Sequence, residues 1–526
     1  MSLPVPPAFF RRRSVWWLFV PILVFSSLIY GYLFATNAPN IILPFFIPPV
    51  VLAGLVIWAL PETGQGPIRL LNACFVAYFV TLIIWPNYLA VALPGLPWIT
   101  VTRLTGFPLT IALLICVSVS SEFRAKLKDV LGTSPWLWKF LLAFVAIQFL
   151  SLAFSNNFTA SAQKFVAAQF NWTAIFFASC YYFLKPGRAI FWSHLLWFMA
   201  LFVTVIAMWE SSIGHPPWAG HIPSFLAIQD ESVLRGLKGG MRSYTTKYRA
   251  QGTFGVSLGL SEYIALAFPF VIHIATSDDR MKVRIAAAAS LPILLYTITL
   301  SGARLGLVGC LISSLGYGLA WGIDRWRRQP NSLIGPALVL SYPMFFAASI
   351  GAVFFVGRIR NLVVGDGSQQ ASNDARLTQL TMAIPKIISH PWGYGISMSA
   401  VTLGFREPDG LLTIDSYYLS LLLEYGIIGL VIFYGMFALS IYQAGKCWLN
   451  YNSTEKELTL FVPLILSLLA FCVMKAVFSQ EDSHALVFMM MGMIAALAFR
   501  QNKFRLGSPK PHLRVLRSEI INRTAA

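Results

Sequence analysis

Charged residues are scarce in this chain, where Asp, Glu, Lys and Arg make up 11% of the 526 residues. Soluble domains carry about 25%, so this scarcity excludes a soluble globular enzyme and a nucleic-acid module. Hydrophobic residues reach 57%, which excludes a disordered protein. The apolar residues also form runs long enough to cross a bilayer. The sequence therefore predicts an all-α, polytopic transmembrane helix bundle that forms one membrane domain.

Cysteine motifs and metal-binding motifs are lacking as well. The six cysteines form no C-x-x-C pair and most of them lie in apolar runs, so we expect no structural disulfide. The chain contains no H-E-x-x-H motif, which is a common zinc-binding pattern. We therefore predict neither a metal ion nor another cofactor.

Long apolar runs follow one another along the whole chain. The first, Val15 to Ala35, comes after Arg11-Arg12-Arg13. This resembles a signal peptide, but the run is longer than an h-region and lacks an A-x-A site, so we favour an uncleaved first span. Twelve to fourteen spans are predicted in total. The others lie near 40–60, 70–86, 98–119, 135–155, 164–184, 189–211, 256–276, 285–300, 305–322, 332–356, 416–443, 458–477 and 485–499.

The net charge of +18 indicates orientation rather than nucleic-acid binding, because Lys and Arg concentrate in cytoplasmic loops. With a cytoplasmic N-terminus, most short basic loops and the basic tail fall inside, and two long loops fall on the outer face. The predicted segments are N-terminal spans at 1–211, a first outer loop at 212–255, central spans at 256–356, a second outer loop at 357–415, C-terminal spans at 416–499 and a cytoplasmic tail at 500–526.

Arginines beside small residues mark the outer face. Arg304 follows Ser301-Gly302-Ala303 in a tight link between two spans, and we select Ser301 as a further substrate contact. A snorkelling arginine would explain the charge, but small residues also let an anion approach the backbone at a helix start. Arg249 precedes Gly252 and Gly255 at the next span. A guanidinium in this setting suits a diphosphate, which takes bidentate hydrogen bonds.

The first outer loop holds further cations, among which we select Arg242 as a substrate contact and interpret Arg235, Lys238 and Lys247 as solvated. The second outer loop predicts an amphipathic helix from about Asn373 to Ser389. Its apolar residues at helical spacing are Leu377, Leu380, Ile384 and Ile387.

Pro385 lies inside the predicted helix and should kink or split it, and the helix should lie on the membrane or cap the bundle. Near its start, Arg376 is a candidate ligand contact or an ion-pair partner of Asp374 or Asp366. Tyr394, in the turn after the helix, is a candidate sugar platform or an interfacial anchor.

A carboxylate opens the next long span, where Asp415-Ser416-Tyr417-Tyr418 precede the apolar run. Asp415 is either a helix cap or a general base, and Tyr417 beside it is a candidate substrate contact. Deeper in the span, Glu424 is predicted to pair with a cation such as Lys475. We interpret His390 as a helix stop. A last polar group, predicted to be ordinary outer-loop residues, comprises Glu481, Asp482 and His484.

In their order along the chain, these motifs resemble the O-antigen ligase and O-antigen polymerase superfamily. The motifs run from about Arg249 to Leu439. They are Arg249-Ala-Gln-Gly-Thr-Phe-Gly255, Ser301-Gly302-Ala303-Arg304-Leu305-Gly306, Arg376 leading to His390-Pro391-Trp392-Gly393-Tyr394-Gly395, and Asp415-Ser-Tyr-Tyr-Leu419 followed by Leu423-Glu424-Tyr425-Gly426-Ile427-Ile428-Gly429.

The resemblance implies a glycosyltransferase of the bacterial inner membrane with a periplasmic site and cytoplasmic termini. Its donor would be an undecaprenyl-diphosphate-linked glycan, used without a nucleotide sugar or metal. The acceptor would be a hydroxyl of a glycan or lipid-linked glycan, and other polysaccharide assembly proteins would be partners. The resemblance assigns the diphosphate to Arg249 and Arg304, with Arg376 as a third contact.

Ligases of this superfamily usually carry a histidine where this chain has Asp415, which favours an O-antigen or exopolysaccharide polymerase. Two alternatives stay open. One is a ligase that transfers glycan to lipid A core or to protein, and it would share the arginines. The other is a transporter of polyprenyl-linked sugars, which would place charge at the midplane of broken helices.

Overall fold

The computed structural model describes residues 52–92, 99–228, 233–234, 248–329, 331–355, 370–407, 410–450 and 455–507, together with Val24, Ser27 and Leu28. The first predicted span, most of the second and the tail after 507 lie outside these residues. So do Arg235, Lys238, Arg242 and Lys247 in the first long loop.

The fold is built from helices, as the apolar runs predict. In chain order they are α1 (Ile68–Ile84), α2 (Val101–Val119), α3 (Ser121–Thr133), α4 (Pro135–Ser151), α5 (Phe158–Ala168), α6 (Ala174–Tyr182), α7 (Arg188–Ile213), α8 (Ser257–Ser277), α9 (Met281–Ser301), α10 (Arg304–Arg328), α11 (Ile334–Phe355), α12 (Gln370–Ser389), α13 (Ser399–Leu403), α14 (Tyr417–Leu449), α15 (Phe461–Met474) and α16 (His484–Gly507). A π-helical turn, Gln169–Thr173, joins α5 to α6.

Nine helices in the described ranges are long and apolar enough to cross a membrane, namely α2, α4, α7, α8, α9, α10, α14, α15 and α16 with their flanking turns. Two shorter apolar helices, Ile68–Ile84 and Ile334–Phe345, accompany them. The polytopic helical class is therefore confirmed. Every predicted span from 70–86 onward coincides with a helix, and the total of twelve to fourteen stays a prediction.

Two helices form the centre of the bundle. Of the residues in the apolar segment of each helix, 83% are buried in α8 and 94% in α16. In α4, α9 and α10 the buried share is 28%. The peripheral helices thus present apolar surface outward, as helices in contact with lipid do.

A short amphipathic helix was missed in the sequence. In α3, between the predicted spans 98–119 and 135–155, the residues Phe123, Leu127 and Val130 are buried at helical spacing.

The long loops leave from one end of the bundle, which we call the loop end. It carries the ends of α7, α9 and α15 and the starts of α8, α10, α14 and α16. A three-stranded antiparallel sheet, not predicted from the sequence, lies beside it. Its strands are β1 (Leu89–Val91), β2 (Ile99–Thr100) and β3 (Leu226–Ile228), in the order β2-β1-β3. In register, Ala90 faces Thr100 and Leu89 faces Ile228.

A helical cap covers part of the loop end. Its small apolar core joins Ala383 of α12, Leu403 of α13, and Leu419 and Leu423 of α14. The helix α12 runs through Pro385 without ending, so Pro385 does not split it, and the alternative of a kink stays a prediction. Pro385 has no N–H to donate to the backbone carbonyl one turn earlier, and the helix continues past this missing bond.

The cap is attached where α14 breaks. Gly426 has φ 68° and ψ −170° inside α14, and a Cβ there would collide with the Pro391 carbonyl. The turn after α12 caps both sides of this break. Tyr394 N donates to Leu423 O at 2.7 Å, Gly395 N to Glu424 O at 3.1 Å, and Ile427 N to Pro391 O at 3.1 Å. Two motifs thus form one structural unit, namely His390-Pro391-Trp392-Gly393-Tyr394-Gly395 after α12 and Tyr425-Gly426 at the break in α14.

Candidate functional site

The Arg249 side chain lies on the link between α9 and α10. Its Nη2 donates a hydrogen bond to Gly302 O, and Ala250 N donates to Leu300 O at 3.1 Å. Gly302 has φ 64°, and a Cβ there would lie 2.6 Å from Arg249 Nε. Only glycine fits both the left-handed backbone and the guanidinium above it. The two arginine motifs found separately in the sequence therefore form one surface.

A buried carboxylate holds the Arg249 segment, and the sequence analysis missed it. Glu210, near the end of α7, is fully buried. It accepts hydrogen bonds from Tyr248 Oη at 2.5 Å, Gln251 N at 3.0 Å and Gly252 N at 2.6 Å. Burial and the Glu210 charge raise the pKa of Tyr248, so its hydroxyl stays a donor. In the sequence, the only indication that Glu210 has a buried partner is its position as a lone acid at the end of an apolar run.

Arg304 is exposed at the first residue of α10, two residues after Gly302. Within the described part of the chain, it makes no hydrogen bond or ion pair. Its guanidinium is available to an anion at a helix N-terminus, where the backbone dipole favours negative charge. Ser301 is buried instead. Its hydroxyl donates to Ile298 O at 2.7 Å and accepts from Ala303 N at 3.2 Å, so it shapes the link.

The second candidate group lies at the junction of α12 and α14. Arg376 Nε is 3.9 Å from Asp415 Oδ2, and both side chains are about one third exposed. Arg376 also donates to Asn373 Oδ1 at 3.3 Å, and Asp415 N donates to Gln379 Oε1 at 2.9 Å. The N-cap residue of α14 is Ser416, so Asp415 does not occupy the capping position.

Of two predicted substrate contacts, Tyr417 is buried and Tyr394 is half-buried. Tyr417 is 2% exposed, and its ring lies against His484 at 4.8 Å and Phe433 at 5.6 Å between centroids. Tyr394 packs on His390 at 4.4 Å, and its hydroxyl donates to Lys386 O at 3.1 Å. Both tyrosines therefore have structural contacts, and Arg242 lies outside the described residues.

The buried charges near the loop end pair differently from the prediction. Glu424 pairs with Lys164 at 3.3 Å and not with Lys475, and it also accepts from Ser399 Oγ at 2.8 Å. Lys475 pairs with Glu262 at 2.9 Å, and both are fully buried. The prediction that Glu424 pairs with a cation is confirmed, but the cation is Lys164 and not Lys475, because helix packing turns Lys475 toward Glu262.

The residues that we predicted to be ordinary outer-loop residues are part of this buried region. Glu481 pairs with Lys164 at 3.1 Å. His484 is fully buried and stacks on Trp172 with centroids 5.1 Å apart. A Cβ at Gly259 would lie 2.9 Å from Asp482 Oδ2, so this acid lies against α8. The loop interpretation was wrong for His484, because His484 opens α16 at the centre of the bundle.

The two candidate groups are connected through α8 and α15. Ser261 Oγ donates to Ala303 O at 3.3 Å beside the arginine surface. Its neighbour Glu262 pairs with Lys475, and Tyr417 N, two residues after Asp415, donates to Lys475 O at 3.0 Å. Elsewhere in the described ranges, no group of three or more His, Cys, Asp or Glu residues could hold a metal ion.

The fold defines a multi-pass membrane protein whose basic and acidic candidates collect at one end of the bundle. Residues 289–434 match the family model described as O-antigen ligase. This segment is similar to the O-antigen ligase family, in agreement with the resemblance that the motifs predicted. The match contains Gly302, Arg304, Arg376, Asp415 and the break at Gly426, and it supports a function like that of a membrane glycosyltransferase. No curated protein matches the chain significantly.

Proposed function

We propose that this protein transfers or polymerises an undecaprenyl-diphosphate-linked oligosaccharide onto an acceptor hydroxyl at the periplasmic face of the bacterial inner membrane. The observation that carries the proposal is the contact of Arg249 with Gly302, which places a guanidinium beside the start of α10 and its exposed Arg304. Two guanidinium groups and a helix N-terminus suit a diphosphate. The acceptors would be a glycan or lipid-linked glycan.

In this proposal the arginines act on the leaving group. Arg249 and Arg304 bind the diphosphate and stabilise the negative charge that develops as the anomeric C–O bond breaks. Gly302 keeps the backbone close to the anion, and Glu210 fixes the segment that carries Arg249. Undecaprenyl diphosphate leaves with the bonding electron pair, so the step needs no redox partner, and the two arginines supply the positive charge that neutralises the leaving group.

Asp415 serves as the base for the acceptor. Its carboxylate takes the proton of the attacking hydroxyl, whose oxygen forms the new bond to the anomeric carbon as the diphosphate departs. A single displacement of this kind inverts the anomeric configuration. Arg376, 3.9 Å from Asp415, orients the carboxylate and is a further contact for the anionic donor.

The ligase alternative shares every arginine, and the matched family is itself described as O-antigen ligase. Asp415 favours polymerisation over ligation, because the resemblance implies a histidine at this place in ligases. The transporter alternative is weaker. The structure does contain a broken helix, but the segment after Gly426 alone extends about 35 Å and is long enough to cross a bilayer. The break therefore lies at the loop end and not at the midplane.

Profiling of lipid-linked glycans in a deletion strain tests the proposal. Loss of a polymerase should leave single repeat units, some of them attached to core, whereas loss of a ligase should leave long chains on the lipid carrier. The wild-type gene supplied in trans should restore the normal chain lengths. An unchanged glycan profile in the deletion strain would contradict both transferase functions.

The proposal requires a defined orientation in the membrane. Reporters fused after Ser453 and after Arg505 should be cytoplasmic, and one inserted near Gly367 should be periplasmic, because the positively charged short loops face the cytoplasm. Paired alkaline phosphatase and green fluorescent protein fusions measure this directly. A cytoplasmic Gly367 would place Asp415 and Arg304 in the wrong compartment.

Glu210→Gln should lower glycan transfer roughly tenfold, since a hydrogen bond to a charged group contributes about 1.5–3 kcal/mol. Gln keeps one acceptor but turns an amide donor toward Gln251 N or Gly252 N, which loosens the Arg249 segment. Transfer is measured from the distribution of glycan chain lengths at equal amounts of the membrane protein. Glu122→Gln, at an exposed i,i+4 pair with Lys126, is the matched control and should have no effect. Normal transfer in Glu210→Gln would show that Arg249 does not depend on this carboxylate.

A further inference from the structure

The helix α12 carries an apolar stripe that faces away from the protein. Leu377, Leu380, Ile384 and Ile388 are 61%, 42%, 47% and 74% exposed. Their spacing of three or four residues places them on one side of the helix. These are largely the residues that the sequence pattern assigned to an apolar face, yet the cap core uses a different side, with Gln379 and Ala383 buried.

The surface of α12 divides into three sectors. At roughly 100° per residue, one sector holds the buried Gln379 and Ala383 and packs on α13 and α14. A second holds the apolar stripe. The third is polar and exposed and contains Asp374, Thr378 and Ser389. A helix that lies in a membrane interface has this arrangement, with its apolar side in the lipid and its polar side in water.

The stripe continues onto surface that faces lipid. Trp392, just after α12, is 60% exposed, and Ile427, Ile428 and Val431 of α14 are at least half exposed. Ile427 N donates to Pro391 O at 3.1 Å, so the end of α12 is fixed to the start of the membrane-crossing part of α14. Tryptophan is enriched at the boundary between hydrocarbon and water.

The length of α14 places this junction at the membrane boundary. From Ile427 to Leu449 the helix extends about 35 Å, and the hydrocarbon layer is about 30 Å thick. Gly426 therefore lies near the boundary at the loop end, and α12 is tied to it at the same level.

We propose that α12 is an interfacial helix whose stripe of Leu377, Leu380, Ile384 and Ile388 inserts into the acyl-chain region of the bilayer leaflet at the loop end. This position would hold Arg376, on the same helix, at the level of the lipid phosphates. The proposal concerns the depth of the helix and holds independently of the transferase function.

Site-directed spin labelling of the full chain tests the depth. The keto amino acid p-acetylphenylalanine, introduced at Leu380, Ile384 or Ile388 and at the control position Thr378, accepts a hydroxylamine nitroxide and leaves the six free cysteines unlabelled. The protein is reconstituted in vesicles of phosphatidylethanolamine and phosphatidylglycerol. Electron paramagnetic resonance then measures collision with oxygen, which concentrates in lipid, and with the water-soluble complex NiEDDA.

The expected result is a several-fold higher ratio of oxygen to NiEDDA collisions at the three stripe positions than at Thr378. All four residues are exposed, so the label replaces no core side chain, and elution as a single peak in size-exclusion chromatography checks folding. High NiEDDA collision at the stripe would place it in water and overturn the proposal. Low collision with both reagents would show that protein covers the stripe and would overturn it equally.

Discussion

Asp415→Asn is expected to reduce glycan transfer by roughly 100- to 10,000-fold, the usual contribution of a general base, while the protein stays at normal levels in the membrane. Asn has nearly the same shape and keeps the backbone bond to Gln379, but it cannot accept the proton of the acceptor hydroxyl. Single-turnover conversion of a purified lipid-linked donor measures the loss.

Two further variants make this result specific. Asp374→Asn removes an exposed carboxylate from the same helix as Arg376 and should leave transfer unchanged. Asp415→His should keep part of the activity, because imidazole is a base near neutral pH. Full activity in Asp415→Asn would remove this residue from the mechanism and direct attention to Glu424 or His390.

Arg249→Lys should lower transfer by about 100-fold or more, as loss of a preorganised group that stabilises developing charge does. Lysine keeps the charge but cannot bond Gly302 O and a phosphate oxygen through one planar fork. The apparent affinity for the diphosphate donor should fall together with the rate, measured by donor titration. Arg284→Lys, where the arginine bonds Ala275 O at the opposite end of the bundle, is the matched control.

The same substitution at Arg304 distinguishes two interpretations of that residue. A snorkelling arginine tolerates lysine, because only a charge at headgroup level is needed. A diphosphate ligand does not, because bidentate geometry is lost. We therefore expect Arg304→Lys to reduce transfer strongly at normal protein level. Near-normal activity in this variant would support snorkelling and leave Arg249 as the main diphosphate contact.

The sequence located the candidate motifs but not the contacts between them. Arg249 and Arg304 were selected separately because each lies beside small residues, and the structure joins them through the contact of Arg249 with Gly302. Glu210 was missed, because an acid at the end of an apolar run carries no sign of which loop it will bind. Asp415 was weighed as a helix cap, and only the backbone shows that Ser416 holds that position.

The helix α12 shows what helical periodicity in a sequence can and cannot predict. Helical spacing predicted its end at Ser389, its start to within three residues and three of the four residues of the exposed apolar stripe, since these depend on neighbouring residues. It did not predict which side would pack, because Gln379 and Ala383 became the buried residues only through contact with α13 and α14. The helix also continues past Pro385, although a proline removes one backbone hydrogen bond from a helix interior.

The sequence alone determined the class of this protein and the limits of most helices, because hydropathy and periodicity are local properties that a bilayer converts directly into spans. Only the tertiary structure decided which charges pair. Lys164 and Glu424 are 260 residues apart in the chain, and Glu262 and Lys475 are 213 apart. In a low-dielectric interior a charge requires a partner, but helix packing chooses it, and the same packing joins the turn after α12 to the break at Gly426.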